Sequence, residues 1–389
     1  MRKLIINKRY FLLSVALCGG LLLHGCGENN GKNLSSGKGE ISRQKEQKED
    51  RLLTLENEEV QLSVAQNGGA YVDFRFKDQD LNPFTWGLSQ EEMPENNQGG
   101  AVFQGHFLCI GRWGSPSEGE IEAGVPHNGE PANSLWEIRD QNPGSLELQV
   151  EAPMDGLSVK RKIKLLDGEA AFQVTEEVKN NLHIGRIYNI VQHATIGPPF
   201  LQFSTIINSN AGRGFMQSLS YPDPERFSFS WPEGYADSLK TTVDLRSSAV
   251  ETNYVATHVF GKEEEYGWIT AATPNKGLLL GYIWKVSDYP WLNVWHHMNE
   301  GKPLAKGLEF GTTGIGRSYE ELLSANTKFQ GHNSFEYIDA GERITKSFTA
   351  FLLQIPKDFT QVDQISIRDN QLVIEEGHQG QNRLYQLSL

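Results

Sequence analysis

The chain has 389 residues, of which 38% are hydrophobic and 22% charged, a balance that excludes collagen-like, compositionally disordered and polytopic membrane proteins. Its first 25 residues hold four bases and no acid, and the remainder carries 32 bases against 49 acids, a net charge of −17. This sign repels phosphate backbones, which argues against nucleic-acid binding and favours a neutral ligand.

Residues 1–25 have the anatomy of an export signal: a basic start, an apolar run, and then Leu23-His24-Gly25-Cys26. The last four residues resemble the bacterial lipobox, in which the cysteine becomes the lipidated first residue of the mature chain. His24 departs from the small or hydroxyl residue usual there. We expect export and a lipid anchor at Cys26, with the protein held at the bacterial cell envelope, on the outer membrane or the periplasmic face. An ordinary secretory signal with an incidental cysteine is the alternative.

Residues 26–51 follow as a predicted flexible tether, because they are mostly Gly, Asn, Ser, Lys, Glu and Gln and have little apolar area to offset the entropy of ordering. Beyond this tether the chain has a single cysteine, Cys109, so no disulfide framework is expected within the body. Cys109 lies in an apolar run and is predicted to be a buried thiol.

Residues 52–389 are predicted to form one all-β sandwich domain with few short helices. Apolar residues alternate with polar ones at Val60–Val64 and at Val72–Phe76, on either side of an Asn-Gly-Gly turn, which predicts a hairpin. The same period recurs at Leu146–Val150 and at Val159–Leu165, and the second of these turns into a further strand. No long stretch has a helical period.

Three segments carry candidate chemistry. The first contains Arg112, His127 and Asn128, where a turn histidine can hydrogen-bond a ligand through either ring nitrogen, or simply lie on the surface. The second contains His193, which follows an apolar strand and is either a cleft residue or a satisfied core histidine. The third segment contains Glu309, which points away from its apolar neighbours on a strand and is either a surface acid or a base in a cleft. Trp295 belongs to the third segment.

The order of these segments resembles that of the galactose mutarotase-like superfamily, which includes the aldose 1-epimerases and the hexose-6-phosphate 1-epimerases. The resemblance covers most of residues 52–355 and rests on collinear motifs, namely Asn67-Gly68-Gly69, the stretch from His127 to Glu137, the strand pair from Leu157 to Asn180, His193, Glu309 and Gly341-Glu342. It implies a β-supersandwich with a sugar-binding groove across one sheet.

The resemblance also implies roles for individual residues. Glu309 matches the general base that takes the proton from the anomeric hydroxyl, and His193 matches the general acid that protonates the ring oxygen. His127 matches a substrate-binding residue, with Arg112, Asn128 and Trp295 as further lining residues. A base and an acid on separate oxygens are what anomer exchange requires.

The chain departs from the family after His193, where Ala194-Thr195 replaces an aromatic pair. Residues 128–133 contain no Arg or Lys, so a sugar phosphate is disfavoured and a neutral sugar or oligosaccharide is expected. No cofactor and no metal is predicted, since His296 and His297 are adjacent on a strand and point to opposite faces.

Three functions follow. The first is an exported lipoprotein with aldose 1-epimerase-like activity, an isomerase. The second is a glycan-binding protein of the same fold without turnover. The third is a glycan lyase or hydrolase, in which Glu309 would act with Glu320 or Asp288, although the sequence does not give the distance between carboxyl groups.

Overall fold

Alternating apolar and polar residues become short antiparallel strands joined by tight turns. A computed structural model describes residues 51–389, apart from 95, 98–99, 221–222, 325–327 and 378–382. The predicted leader (1–25), Cys26 and the predicted tether up to residue 50 lie outside the described residues. Within the described part of the chain, no helix is long and apolar enough to cross a membrane.

The described residues form 25 strands. In chain order these are β1 (Leu52–Glu56), β2 (Val60–Ala65), β3 (Tyr71–Phe76), β4 (His106–Ile110), β5 (Glu137–Asn142), β6 (Ser145–Ala152), β7 (Leu157–Leu165), β8 (Ala171–Asn180), β9 (Arg186–Tyr188), β10 (Ile190–Ile196), β11 (Ile206–Ser209), β12 (Arg213–Met216), β13 (Phe229–Ser230), β14 (Glu233–Tyr235), β15 (Thr242–Asp244), β16 (Tyr254–Val259), β17 (Tyr266–Thr273), β18 (Leu278–Lys285), β19 (Trp291–Asn299), β20 (Lys302–Gly311), β21 (Glu336–Ile338), β22 (Arg343–Gln354), β23 (Val362–Arg368), β24 (Gln371–Glu376) and β25 (Arg383–Ser388).

Helices are few and short, as the sequence predicts. The α-helices are α1 (Glu118–Glu122), α2 (Gln217–Ser220) and α3 (Tyr319–Ser324), and the single 3-10 turns are Gln90–Glu92, Pro131–Asn133, Pro224–Phe227 and Pro274–Lys276. The predicted hairpin is present, since β2 pairs with β3. The later alternating segments form the antiparallel run β6, β7 and β8. The all-β prediction is therefore confirmed.

Two large antiparallel sheets face each other across the main core. The ten-stranded sheet has the order β1-β2-β3-β4-β10-β20-β19-β16-β12-β13, and the eight-stranded sheet has the order β11-β17-β18-β22-β8-β7-β6-β5. Their inner faces supply one continuous apolar cluster, in which Phe310 of β20 meets Phe348 of β22 with ring centroids 5.2 Å apart. The C-terminal sheet β23-β24-β25 packs a second cluster on the outer face of the eight-stranded sheet.

A buried polar network joins the two sheets within this core. Arg161 of β7 donates from Nε to Oε1 of Glu176 on β8 at 2.8 Å, and its guanidinium lies 4.4 Å from the Trp136 ring centroid. Gln192 of β10 donates to Oε2 of Glu176 at 2.6 Å, and its Oε1 lies 3.1 Å from Nε2 of His106. Because Gln192 precedes His193, this network fixes the strand that carries the candidate acid.

Replacing Arg161 with Met is expected to lower the free energy of unfolding by about 3–5 kcal/mol, because the Glu176 carboxylate would remain buried without its cation. Lys162→Met is the matched control on the same strand. Lys162 lies 3.9 Å from Glu147 and both side chains are exposed, so this loss should stay within about 0.5 kcal/mol. Urea denaturation measures both. Equal midpoints for the two variants would show that the network does not stabilise the fold.

Candidate functional site

The candidate acid and base lie on adjacent strands of the ten-stranded sheet, on the face opposite the main core. His193 of β10 is paired with Phe107 of β4, and Glu309 of β20 is paired with Asn293 of β19. The apolar neighbours of Glu309, Leu308 and Phe310, point into the main core. The strand alternation thus turns the carboxyl group towards the outer face, as the sequence predicts.

His193 lies in a column of nearly parallel rings. Its imidazole stacks on Phe107 at 4.3 Å between centroids and 17° between planes, and Phe103 stacks on the far side of Phe107 at 4.8 Å. The Trp86 indole is nearly parallel to the His193 imidazole, with ring centroids 6.4 Å apart. Trp295 approaches the imidazole edge-on. Only 12% of the His193 side chain is exposed. Aromatic faces of this kind also stabilise a protonated imidazole.

Glu309 is 1% exposed. Its Oε1 lies 3.5 Å from Nε2 of His193, and its Oε2 has no hydrogen-bond partner among the described residues. Gly307 makes room for the carboxyl group, since a Cβ there would stand 2.5 Å from Oε1. One carboxyl oxygen therefore contacts the histidine, and the other is buried.

Burial shifts the two groups in opposite directions. Burial, with a smaller contribution from His127, lowers the pKa of His193 to about 3. Burial raises the pKa of Glu309 well above its usual range, and the nearby Trp113 side chain opposes this as a hydrogen-bond donor. Over a wide pH range the pair consequently carries one proton, which these shifts place on the carboxyl group.

His127 does not contact Glu309 or His193 directly in the described structure. Its Nδ1 lies 3.3 Å from Oγ of Ser115, and its backbone carbonyl accepts from Asn133 at 3.0 Å. Burial and, to a smaller extent, the Arg112 charge lower the pKa of His127 to about 4. The side chain is half-buried beside Phe103, so it borders the same aromatic layer as His193.

Asn128 and Arg112 are engaged within the protein. Asn128 is buried and accepts from the Gly114 backbone N–H at 2.8 Å, which ties the His127 turn to the preceding loop. Arg112 is buried, forms an ion pair with Glu120 and lies over the Tyr319 ring at 5.1 Å. Both residues hold the loops that border the site.

Trp295 of β19 lies in the aromatic layer, whereas the other tryptophans of its segment are structural. It meets Trp86 edge-to-face at 5.4 Å between centroids. Trp268, Trp284 and Trp291 are buried in apolar clusters. Of the tryptophans in this part of the sequence, Trp295 is thus the one beside the candidate acid.

The histidine pair on β19 splits between the two faces of the sheet. His296 is buried with Nε2 2.7 Å from the Val250 carbonyl, while His297 stacks on Trp295. Lys306, paired with His296, is also buried and donates to the Tyr254 hydroxyl at 2.9 Å. Among the described residues, no group of three or more His, Cys, Asp or Glu is placed to hold a metal ion.

Several residues of the site were not singled out by their sequence. Trp86 and Phe103 come from a loop region before β4, and Phe107 is part of the apolar run that also contains Cys109. Cys109 is a buried thiol as predicted. Trp113, next to Arg112, is the one of these site residues that the sequence could have indicated, because an aromatic residue between Gly111 and Gly114 suggests a shaped loop.

Gly307→Ala is expected to lower the free energy of unfolding by about 1–3 kcal/mol, because its Cβ would press on the Glu309 carboxyl group and on Cβ of Trp295. Gly144→Ala is the control, since a Cβ there would meet nothing within 4 Å. Denaturant midpoints compare the two variants. Equal stability would mean that the carboxyl group can move aside freely, and would contradict the tight site described above.

Comparison with solved structures shows that the chain has a known fold. A galactose mutarotase related enzyme from Lactobacillus acidophilus superimposes with a TM-score of 0.58 and 10% identity, covering 79% of this chain and 98% of that one. A galactose mutarotase-like protein from Clostridium acetobutylicum gives a TM-score of 0.56 and 12% identity, covering 79% and 96%. An aldose epimerase homologue from C. elegans gives 0.54 and 10%, covering 79% and 99%.

No protein-family model matches the sequence, and no curated protein matches it either. The similarity is therefore one of three-dimensional structure. It extends over nearly the whole of the three solved chains named above. The fold suspected from the collinear motifs is confirmed: this chain has the galactose mutarotase-like fold.

Proposed function

We propose that the protein interconverts the anomers of a neutral sugar, as an aldose 1-epimerase does, with Glu309 as general base and His193 as general acid. The observation that carries the proposal is the 3.5 Å approach of Glu309 Oε1 to His193 Nε2 on the outer face of the sheet. The hydroxyl oxygen and the ring oxygen of a hemiacetal are bonded to the same carbon, so the groups that serve them must be neighbours.

The reaction follows from the proton that the pair shares. In the productive tautomer Glu309 is a carboxylate and His193 an imidazolium. The carboxylate takes the proton from the anomeric hydroxyl, and the hydroxyl oxygen forms the carbonyl double bond to the anomeric carbon. At the same time the bond from the anomeric carbon to the ring oxygen breaks, and His193 Nε2 protonates the ring oxygen. Rotation about the bond to the neighbouring carbon presents the other carbonyl face, and the reversed steps close the ring.

The surroundings of the pair favour a neutral sugar. Trp295 is partly exposed and offers apolar ring surface of the kind that packs against pyranose faces, with the buried Trp86 and Trp113 behind it in the same cluster. Arg112 is paired with Glu120 through Nη2, while its Nε and Nη1 have no hydrogen-bond partner among the described residues. His127, half-buried at the border of the layer, is proposed to hydrogen-bond a sugar hydroxyl, with Asn128 and Arg112 holding the surrounding loops.

Glycan cleavage has less support from the geometry. Glu320 is exposed on α3, and Asp288 accepts from the Ser347 backbone N–H at 3.2 Å. Neither carboxylate is part of the layer around Glu309 as described. Sugar binding without turnover remains the second candidate, because Glu309 is so deeply buried, and it is an outcome of the test below.

We also propose that the protein is exported and carries a lipid on Cys26. The support comes from the sequence alone, namely the basic start, the apolar run and the cysteine after Gly25. The substrate would then be a sugar or an oligosaccharide reducing end met at the cell envelope.

Glu309→Gln is expected to lower the enzyme-dependent rate of mutarotation by about 10²–10⁴-fold, because the amide cannot accept the hydroxyl proton, while sugar affinity changes little. Polarimetry of freshly dissolved α-glucose and α-galactose measures the rate, and calorimetry the affinity. Glu320→Gln, at an exposed acid, is the control. Binding without rate acceleration by the unmodified protein would select the glycan-binding function, and full activity in Glu309→Gln would refute the assigned base.

The pH profile of kcat/KM is expected to show a broad plateau. The pKa of His193 is lowered to about 3 and that of Glu309 is raised, so the pair gains a second proton only in strong acid and loses its shared proton only above the raised carboxyl pKa. Activity should fall on both sides of this window. Polarimetry corrected for buffer catalysis tests this, and an acid limb near pH 6.5 would contradict the buried pair.

A further inference from the structure

We infer that one end of the sandwich docks onto a lipid bilayer through a rim of exposed aliphatic side chains. The rim consists of Leu135, Met154, Leu182 and Ile184, which are between 37% and 68% exposed. The inference rests on the proposed lipid attachment at Cys26 and identifies the surface that would meet the membrane. Scattered exposed aliphatics are ordinary, but four on neighbouring turns form a surface.

The strand register brings these residues to one end of the eight-stranded sheet. The start of β5, the end of β6, the start of β7 and the end of β8 are neighbours, since Glu137 pairs with Gln149 and Leu157 pairs with both Ala152 and Asn180. Leu135 precedes β5, and the other three residues lie in the turns after β6 and after β8. Three strand spacings separate β5 from β8, so the turns that carry the four side chains span roughly 15 Å, the width of a few lipids.

Internal hydrogen bonds hold the rim in place. The Met154 backbone N–H donates to Oε2 of Glu130 at 2.9 Å. Leu182 packs on Gly156, where a Cβ would stand 2.4 Å from its Cγ. Asn180 is buried, accepts from the Leu182 N–H at 3.0 Å and donates to the Ile184 carbonyl at 2.8 Å. The aliphatic side chains are therefore presented by ordered turns, which lowers the entropy lost on docking.

The chain enters the fold at the same end of the sandwich. A lipid on Cys26 would therefore bring this end of the domain, and with it the rim, towards the bilayer. The Gln66 N–H donates to the Arg51 carbonyl at 2.9 Å, and the Trp136 N–H donates to the Gln66 carbonyl at 3.0 Å. Arg51 thus adjoins the segment that carries Leu135. Between Cys26 and β1 lie 25 residues.

With a tether of that length, weak contacts between the rim and the bilayer are sufficient for docking. The lipid would hold the rim within a few nanometres of the bilayer, where the second contact is intramolecular and needs little affinity of its own. The interaction is expected to come from apolar insertion at the headgroup boundary and not from charge, since the protein is acidic overall. It should therefore persist in high salt and on uncharged lipid.

The test uses environment-sensitive fluorophores on single introduced cysteines of the chain from residue 26 onward. Ile184→Cys and Met154→Cys probe the rim, and Leu239→Cys, at an exposed leucine outside it, is the matched control. The native Cys109 is buried and should not react. On phosphatidylcholine vesicles we expect a blue shift of the emission at both rim positions, none at the control, and no change in 0.5 M salt.

Two samples, attached to vesicles in different ways, test the rim and the lipid anchor independently. One sample carries the native lipid, and the other carries Cys26→Ser with an N-terminal histidine tag on vesicles that contain nickel-chelating lipid. Failure of the first sample to float with vesicles would refute the lipid anchor, while the second still reports on the rim. Equal spectra at rim and control positions on nickel-bearing vesicles would overturn the docking surface.

Discussion

The contact between a carboxyl group and an imidazole on neighbouring strands is the constraint on which the site depends. Glu309 and His193 meet at 3.5 Å in a layer of aromatic rings from which water is largely excluded. Burial disfavours charge on either group, so the pair carries a single proton over a wide pH range. In water the same two side chains would be separately charged and independent, and the proposed chemistry would lack its shared proton.

The two sheets support this contact from behind. Gln192, one residue before His193, points the other way and hydrogen-bonds Glu176, which in turn binds Arg161. A buried ion pair costs desolvation energy, so its value here is best understood as fixing the position of β10 relative to the opposing sheet. The sandwich core and the outer aromatic layer are thus connected through two consecutive residues of one strand.

The sequence predicted the strand content and the outward direction of Glu309, because a period of two is a local property. His127 and His193 were nominated from the motifs around them and from the family resemblance. The sequence could not predict the stacking of Phe107 on His193, since this depends on the register between strands distant in the chain. One signal was readable but unused. Arg161 occupies an inward position between Val159 and Ile163, and a charge there implies a buried partner such as Glu176.

Nitrogen-15 NMR of the His193 side chain, assigned with a His193→Gln variant, tests the shared proton most directly. The account predicts a neutral imidazole from pH 5 to pH 8, with a signal that changes in Glu309→Gln because the neighbouring proton donor is altered. A ring that is mostly protonated at pH 6 and titrates near pH 6.5, unaffected by Glu309→Gln, would contradict the account.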